Sequence, residues 1–475
     1  MTVAPSRSNS LPHYSSILQA LKSCHNLVRQ TNAERIASLS FPLPPVDPLA
    51  VFLTCPQTEQ RQCYFESPSR GQAIAAWDAL LCEHFSGRDR FAAARQAIAA
   101  WQPRIKAFPE RGEGPYFFCS FSFFDTLAAT AVGGFAPATV LLTRWQVVRQ
   151  KQRCTLIANV LIRPHSRLAP LARAIAEQVS KLQRFVPAPR LLDSSLREEL
   201  AAWEPQLALP ESEQFQKQVQ ETLRAIHSQQ LQKQVVAQAF DVIRPQPFRR
   251  EIALPRLRSR YPDCYIFSFS GEADSHFIGA SPERLLSIRQ GRLITDALAG
   301  SAPRGETPEA DREIGQRLLS TPKEQREHQL VLDFIVERLE AEGLNPCYST
   351  PPGLLRLSNI QHLHTPICAE VPSQISPLTL VESLHPTPAV AGVPMAAACD
   401  RIRQGEACDR GLYAAPFGWI DPAGNSEFIV GIRSALIQQT QARLFAGAGI
   451  VADSNPEQEL SEIQLKLQAL AQALG

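Results

Sequence analysis

HFIGASPERLLSIRQGRLITDALAGSAPRG, residues 276–305, decides how this chain folds. Apolar residues fill 276–280; Ser281-Pro282 then breaks the run and presents Glu283. A second run, 284–289, alternates apolar and polar side chains, turns at Gln290-Gly291 and returns as 293–298. Period-two alternation about a Gly turn is the pattern of a β-hairpin. Gly300-Ser301 closes the return, and Pro303, Arg304 and Gly305 lead into a helix. A carboxylate therefore stands at one end of the hairpin, and a small-residue turn with accessible backbone N–H groups follows the other. On this stretch alone, an exposed Glu on an ordinary hairpin is the plainer reading. The rest of the chain changes it.

The stretch sits in 475 residues, of which 44% are hydrophobic, ample for a large core. The formal charge is only +2 and no long block of one sign occurs, which argues against a nucleic-acid or membrane-surface partner. Eleven scattered Cys form no C-x-x-C pair, suiting reduced thiols and offering no zinc site. No secretory signal is visible. Residues 1–33 lack Asp and Glu, a weak transit-peptide trait, so the cytoplasm is the expected compartment and a plastid the alternative. The most apolar long stretch, 123–142, contains Asp125, Gly133, Gly134 and Pro137 and does not read as a membrane span.

Upstream of the hairpin, 1–40 reads as a flexible segment with one helix at 15–29. Residues 41–48 read as extended and 51–67 as strand-rich. The Ala-rich runs 71–85 and 90–107 read as helices. An aromatic strand is expected within 112–124, a hairpin over 140–148 and 153–162, and a helix over 168–185. The Pro-rich stretch 186–210 reads as a connection between an N-terminal part, 41–210, and a C-terminal part, 211–475. A helix over 212–229 and a β-branched strand over 232–242, with Lys233 near its start, follow it. Downstream come helices at 308–319 and 322–342, strands at 362–371, 412–420, 427–438 and 441–451, and a last helix at 456–474. Strands in succession with helices between groups of them indicate an α+β fold with large antiparallel sheets.

Several charges fall where apolar packing is expected. On the 322–342 helix, Glu327 shares a face with Leu330 and Val331. An unpaired buried charge costs several kcal/mol, roughly, so Glu327 either finds a partner or is a first-turn Glu favoured by the helix dipole. On the last helix Glu459, Glu462 and Lys466 form one stripe; a surface Glu462–Lys466 pair is the plainer alternative. Upstream, Gly447-Ala448-Gly449 leaves backbone open to an anion. Arg433, mid-strand among apolar residues, wants an acidic partner, and its planar fork suits a carboxylate. Carboxylates on two helices could hold a hard cation such as Mg²⁺, with Arg433 and the Gly-rich backbone binding a small dianion. Lys233 and Glu283 remain as a base and acid pair.

At this point the chain resembles the chorismate-utilising enzymes: isochorismate synthase, anthranilate synthase component I, aminodeoxychorismate synthase and salicylate synthase. Seven blocks, in the family's order, carry the resemblance. They are SPERL at 281–285, ALAGSAPRG at 297–305, KEQREHQLV at 323–331, HPTPAVAG at 385–392, YAAPFGW at 413–419, GIRSA at 431–435, and AGAGIVADSNPEQELSEIQLK at 446–466. They span about 212–470; the N-terminal half resembles the family loosely, through FFCSFSF. The resemblance implies antiparallel sheets packed as a sandwich with helices outside, the N-terminal half completing the same fold.

Lys233, in KQVVAQ at 233–238, selects the branch. Isochorismate and salicylate synthases have Lys there; the anthranilate enzymes have Gln. Gln238 replaces the usual closing Arg. Ala299 stands where the aminodeoxychorismate enzymes carry a nucleophilic Lys. The resemblance thus implies conversion of chorismate to isochorismate. Lys233 would activate a water that attacks C2, and Glu283 would protonate the departing C4 hydroxyl. Mg²⁺ would be held by Glu327 and Glu462, with Glu459 in support. Arg433 and Tyr413 would bind near the enolpyruvyl carboxylate. Gly300, Ser301, Gly447, Ala448, Gly449 and Lys466 would complete an anion cradle, with His385 and Thr387 near the ring; a structural His before Pro is the other reading of His385. Ala415 replaces a usual Gly, so a methyl group either crowds the pocket or the backbone there needs no positive φ. No glutamine amidotransferase subunit is expected, a monomer is, and menaquinone or phylloquinone synthesis is the expected use. The alternatives are a salicylate synthase, which goes on to eliminate pyruvate, and a non-catalytic chorismate-binding relative.

Overall fold

The computed structural model describes residues 13–55, 61–109, 114–127, 133–185, 212–272, 274–357 and 360–475. The connection expected at 186–210 and the first twelve residues lie outside these. Among the described residues, twenty strands join one continuous sheet in which all pairings but one are antiparallel; Arg35–Leu43 against Ile105–Phe108 is the parallel exception.

The sheet doubles over itself because its strands carry apolar side chains on both faces. Its inner layer is made of strand residues, with Phe65, Phe118, Phe267, Phe269, Phe417 and Trp419 at its centre. One outer face is covered by the helices Tyr14–Thr31, Leu168–Gln183, Ser212–His227, Arg250–Arg260 and Pro456–Leu474. The other is covered by Arg90–Trp101, Pro322–Ala341, Pro377–Leu384 and Met395–Gly405. This is the expected α+β sandwich with helices outside. Strands from both sides of residue 211 pair directly: Cys63–Ser67 with Tyr265–Ser270, and Phe117–Phe121 with Pro416–Ile420.

The organising hairpin forms as read. Ser275–Ser281 is followed by Arg284–Arg289, which pairs with Arg292–Pro303 through Ser287↔Ile294 across a Gln290-Gly291 turn. Its end differs from the expectation. Gly300-Ser301 does not close the strand but is a bulge within it, where the register against Ile360–Glu370 shifts between Ala299 and Ser301 and Gly300 takes φ 76°. A bulge of this kind needs a residue tolerant of positive φ.

Other expectations are corrected. Residues 71–85 are the strand Gln72–Phe85, held on both edges by Cys63–Ser67 and Ala138–Gln150. Two-sided ladder pairing overrides the helix preference of an Ala-rich run. Within 41–67, Pro48–Thr54 is a helix, capped by Asp47 and started by Pro48, between two strands. In the 1–40 segment the helix expected at 15–29 forms, as Tyr14–Thr31 burying Ile17, Leu21, Cys24 and Val28, but the segment is not a flexible one, since Arg35–Leu43 joins the sheet. Residues 427–438 are two strands, Ser426–Val430 and Ser434–Gln438, separated by a break at which Arg433 has φ 48°. The helices Arg250–Arg260, Pro377–Leu384 and Met395–Gly405 have no counterpart in the sequence reading.

Candidate active site

Lys233 begins the strand Lys233–Ile243 and is almost wholly buried, its side chain 1% exposed. A buried ammonium needs a counter-charge. Glu327, on the helix Pro322–Ala341, supplies it: Lys233 Nζ donates to Glu327 Oε1 at 2.7 Å. Glycine makes room for the contact. The Lys233 strand pairs with Gln441–Ile450, Gly449 lying opposite Val235, and a Cβ at Gly449 would stand 3.2 Å from Glu327 Oε1 and 3.3 Å from Lys233 Cε.

Glu283, between two hairpin strands, is buried, and burial pushes its carboxyl up to about 7. Lys233 opposes that rise and Asp296 adds to it. Asp296 is itself held by Arg284 at 2.6 Å and His364 Nε2 at 2.8 Å. Glu283 is thus an acid that keeps its proton close to neutral pH, within the field of a buried lysine. A carboxyl that titrates near neutral pH can act as a general acid.

Carboxylates gather on the far side of Lys233. Glu324, one turn before Glu327, accepts Ser301 N–H at 3.2 Å; burial raises its carboxyl, and Glu327 and Glu462 raise it further. Glu459 is raised by burial and by Glu462 and Glu327, against a hydrogen bond from Ser454. Glu462 pairs with Lys466 at 2.7 Å, and Lys466 Nζ also donates to Gly447 O at 2.9 Å. Among the described residues no three acidic, His or Cys side chains converge into a preformed metal cluster, unlike the expected Glu327–Glu459–Glu462 set. Glu327 is paired with Lys233 and Glu462 with Lys466, each at 2.7 Å. The donors are nonetheless all carboxylate oxygens, and Glu327 and Glu462 add to the raised proton affinity of Glu324 and Glu459. A hard divalent cation suits such a set.

Gly447, Ala448 and Gly449 lie within the strand Gln441–Ile450, as expected. Their backbone is open on one edge all the same. The neighbouring strand Ser434–Gln438 pairs only as far as Ala435↔Leu444. The missing side chains also clear space: a Cβ at Gly447 would stand 2.9 Å from Tyr413 Oη. Tyr413 lies flat on Phe445, centroids 5.1 Å apart, and burial raises its phenol, with Glu283 among the charges acting on it. Thr387 is buried, and its Oγ1 has no hydrogen-bond partner among the described residues. Its loop touches the Lys233 strand, Ala391 O accepting Val235 N–H at 2.7 Å.

Two expected residues are placed otherwise. His385 donates from Nε2 to Phe123 O at 3.2 Å and packs edge-on against Phe123; burial lowers its ring to about 3. It is therefore a neutral ring packed against Phe91 and Phe123. Arg433 has no acidic partner among the described residues. Its guanidinium faces Cys264 Sγ at 3.7 Å and the Tyr261 ring at 5.7 Å, because the left-handed backbone turns it out of the strand. Its positive charge still acts on His362, whose Nδ1 lies 2.8 Å from Ser301 Oγ. At YAAPFGW the positive φ belongs to Ala414, at 59°, and not to Ala415, so the Ala415 methyl costs no backbone strain.

Sequence reading missed Glu324, although its spacing three residues before Glu327 put it on the same helix face. It also missed Asp296 and His364, whose contact is made across strands and has no local signature.

The family described as chorismate binding enzyme matches residues 19–475. A salicylate biosynthesis isochorismate synthase of Pseudomonas aeruginosa is 34% identical over 93% of this chain and 90% of its own length. The isochorismate synthase EntC of Escherichia coli is 36% identical over 56% of this chain and 68% of its own. The solved structure of MenF, the menaquinone-specific isochorismate synthase of Escherichia coli, superposes with a TM-score of 0.75. It is 26% identical and covers 97% of this chain and 100% of that one.

Proposed function

The chain belongs to the chorismate-binding enzymes, and from that premise we propose that it is an isochorismate synthase. Lys233 serves as the base that takes a proton from a water, which forms the new bond at C2 of chorismate. The ring double bonds shift, the C4–O bond breaks, and Glu283 gives its proton to the departing hydroxyl, which leaves as water. The buried Glu283 carboxyl, held protonated to about 7 within the field of Lys233, is the observation that carries this reading. Its support from relatives is that two enzymes so named are at least 34% identical to it.

Glu324, Glu327, Glu459 and Glu462 are proposed to hold Mg²⁺. When bound, that ion supplies positive charge for the substrate's ring carboxylate. Tyr413, Lys466 and the open backbone edge at Gly447 and Gly449 surround the other end of the ligand. Thr387, with its unpartnered hydroxyl, faces it across the Lys233 strand.

The test is chorismate plus Mg²⁺ with products resolved by chromatography. Isochorismate from the wild type, lost on EDTA treatment and in both Lys233→Ala and Glu283→Gln, is the expected result. Salicylate with pyruvate would move the enzyme to the lyase branch, and binding without turnover would make it a non-catalytic relative.

For the product's use we propose quinone synthesis, supported by likeness along the whole chain to a menaquinone-specific enzyme. The first relative above is named for salicylate biosynthesis. Quinone content in a strain lacking the gene separates the two destinations. A monomer without an amidotransferase subunit, working in the cytoplasm, completes the proposal; size-exclusion chromatography tests its first part. Among the described residues no helix is long and apolar enough to cross a membrane.

A further inference from the structure

The strand that carries Lys233 has an unusual edge. On one side it pairs with Gln441–Ile450 along nearly its whole length. On the other, among the described residues, it meets only the two-residue strand Gly392–Val393, opposite Lys233 and Gln234. Beyond that point every second residue turns an N–H and a C=O to a side with no strand partner. Such an edge, left bare in the interior, would cost a hydrogen bond's desolvation at each group.

An ion pair takes the place of the missing strand. Glu406 and Arg410 stand one helical turn apart in sequence and are both buried, their side chains 4% and 1% exposed. Arg410 Nε meets Glu406 Oε2 at 2.7 Å. Arg410 Nη2 donates to Val235 O at 3.1 Å, and Glu406 Oε1 accepts Ala237 N–H at 2.9 Å. The remaining arm of the fork, Arg410 Nη1, donates to Val390 O at 2.6 Å. Val390 belongs to the loop of Thr387, whose backbone carbonyl accepts the N–H groups of Val390 and Ala391. One guanidinium therefore grips both the strand of the base and the loop of the unpartnered hydroxyl. A lysine could keep the charge, but its three donors sit on one nitrogen and do not span the carboxylate and two carbonyls that Nε, Nη1 and Nη2 of Arg410 reach.

We infer that the Glu406–Arg410 pair is a positioning device for the reaction, fixing the Lys233 strand against the Thr387 loop. This rests on the isochorismate synthase reading. The pair touches no reacting atom, so its effect runs through Lys233. A displaced base slows chemistry more than it weakens ground-state binding.

The test compares wild type, Arg410→Lys and the double variant Glu406→Gln/Arg410→Met. Removing one member alone strands a buried charge, whereas removing both allows the core to repack. We expect kcat for isochorismate formation to fall about 100-fold in Arg410→Lys and in the double variant, with KM changed less than about threefold. Hydrogen–deuterium exchange should rise in the peptides covering 233–243 and 385–393 and not in 456–474. A kcat within about threefold of wild type in either variant overturns the positioning role. So does a loss of activity accompanied by faster exchange throughout the chain, the mark of a merely structural pair. If the wild type itself forms no isochorismate, the parent reading fails and this inference falls with it.

Discussion

Glu283 binds its proton more tightly than a free carboxyl because burial disfavours its charged form, and Asp296 adds to the effect. The sign of the pH dependence follows. Its affinity is raised from 4.5 to about 7, so the acid form is complete at low pH and lost as pH rises through about 7. The kcat/KM profile should therefore fall on its alkaline side near neutrality. Asp296→Asn, which removes the neighbouring negative charge, should move that fall to lower pH. The part of folding stability tied to the protonated carboxyl is likewise full below about 4.5 and disappears through the same window, and Glu283→Gln should abolish that slope in melting temperatures measured against pH. Lys233→Ala should lower kcat by about 10²–10⁴-fold, the range of a lost general base, and single-turnover rates measure it directly. Both residues were legible in the sequence, through SPERL and KQVVAQ. The Lys233–Glu327 contact was legible only as a need: a carboxylate on an apolar helix face had to find a partner, and nothing local said which.

The elements set these residues at their distances, and here the sequence was read unevenly. The hairpin 284–298 was plain because a period of two and a Gly turn are local properties. The strand Gln72–Phe85 was mistaken for a helix because its composition is Ala-rich and its two partners lie elsewhere in the chain. The strand Gln441–Ile450 gives the sharpest prediction at this scale. A methyl group at Gly449 would press on both Glu327 Oε1 and Lys233 Cε, at 3.2 and 3.3 Å. Gly449→Ala should therefore reduce kcat by about tenfold or more while the melting temperature changes little, since the strand itself tolerates alanine. Activity and thermal denaturation of the same preparation check it. Gly424, where an added Cβ would meet nothing within 4 Å but φ is 80°, supplies the contrast: Gly424→Ala should lower the melting temperature and leave kcat unchanged.

The whole molecule depends on charges buried between distant segments. Glu427 is fully buried and accepts from Tyr265 Oη at 2.6 Å, Arg70 at 2.9 Å and Ser287 Oγ at 3.1 Å, with Arg289 also on it. One carboxylate thus ties together strands and turns from residue 70 to residue 427. Glu427→Ala should destabilise the fold by about 2–3 kcal/mol, towards the low side for a broken buried pair because both guanidinium groups retain water contact. A lowered urea midpoint, with chorismate turnover preserved below it, is the expected measurement. By itself the sequence determined the α+β class, the hairpin, the helices carrying Glu327 and Glu462, and the seven blocks that mark the family, because periodicity, caps and motif spacing are written in neighbouring residues. Only the tertiary structure decided that Glu324 joins the carboxylates, that His385 packs against Phe91 and Phe123, that Arg433 turns towards Cys264, and that Glu406 and Arg410 close the edge of the Lys233 strand. Each of those is a contact between segments far apart in the chain, and its geometry exists only once burial has forced every charge and backbone group to find a partner.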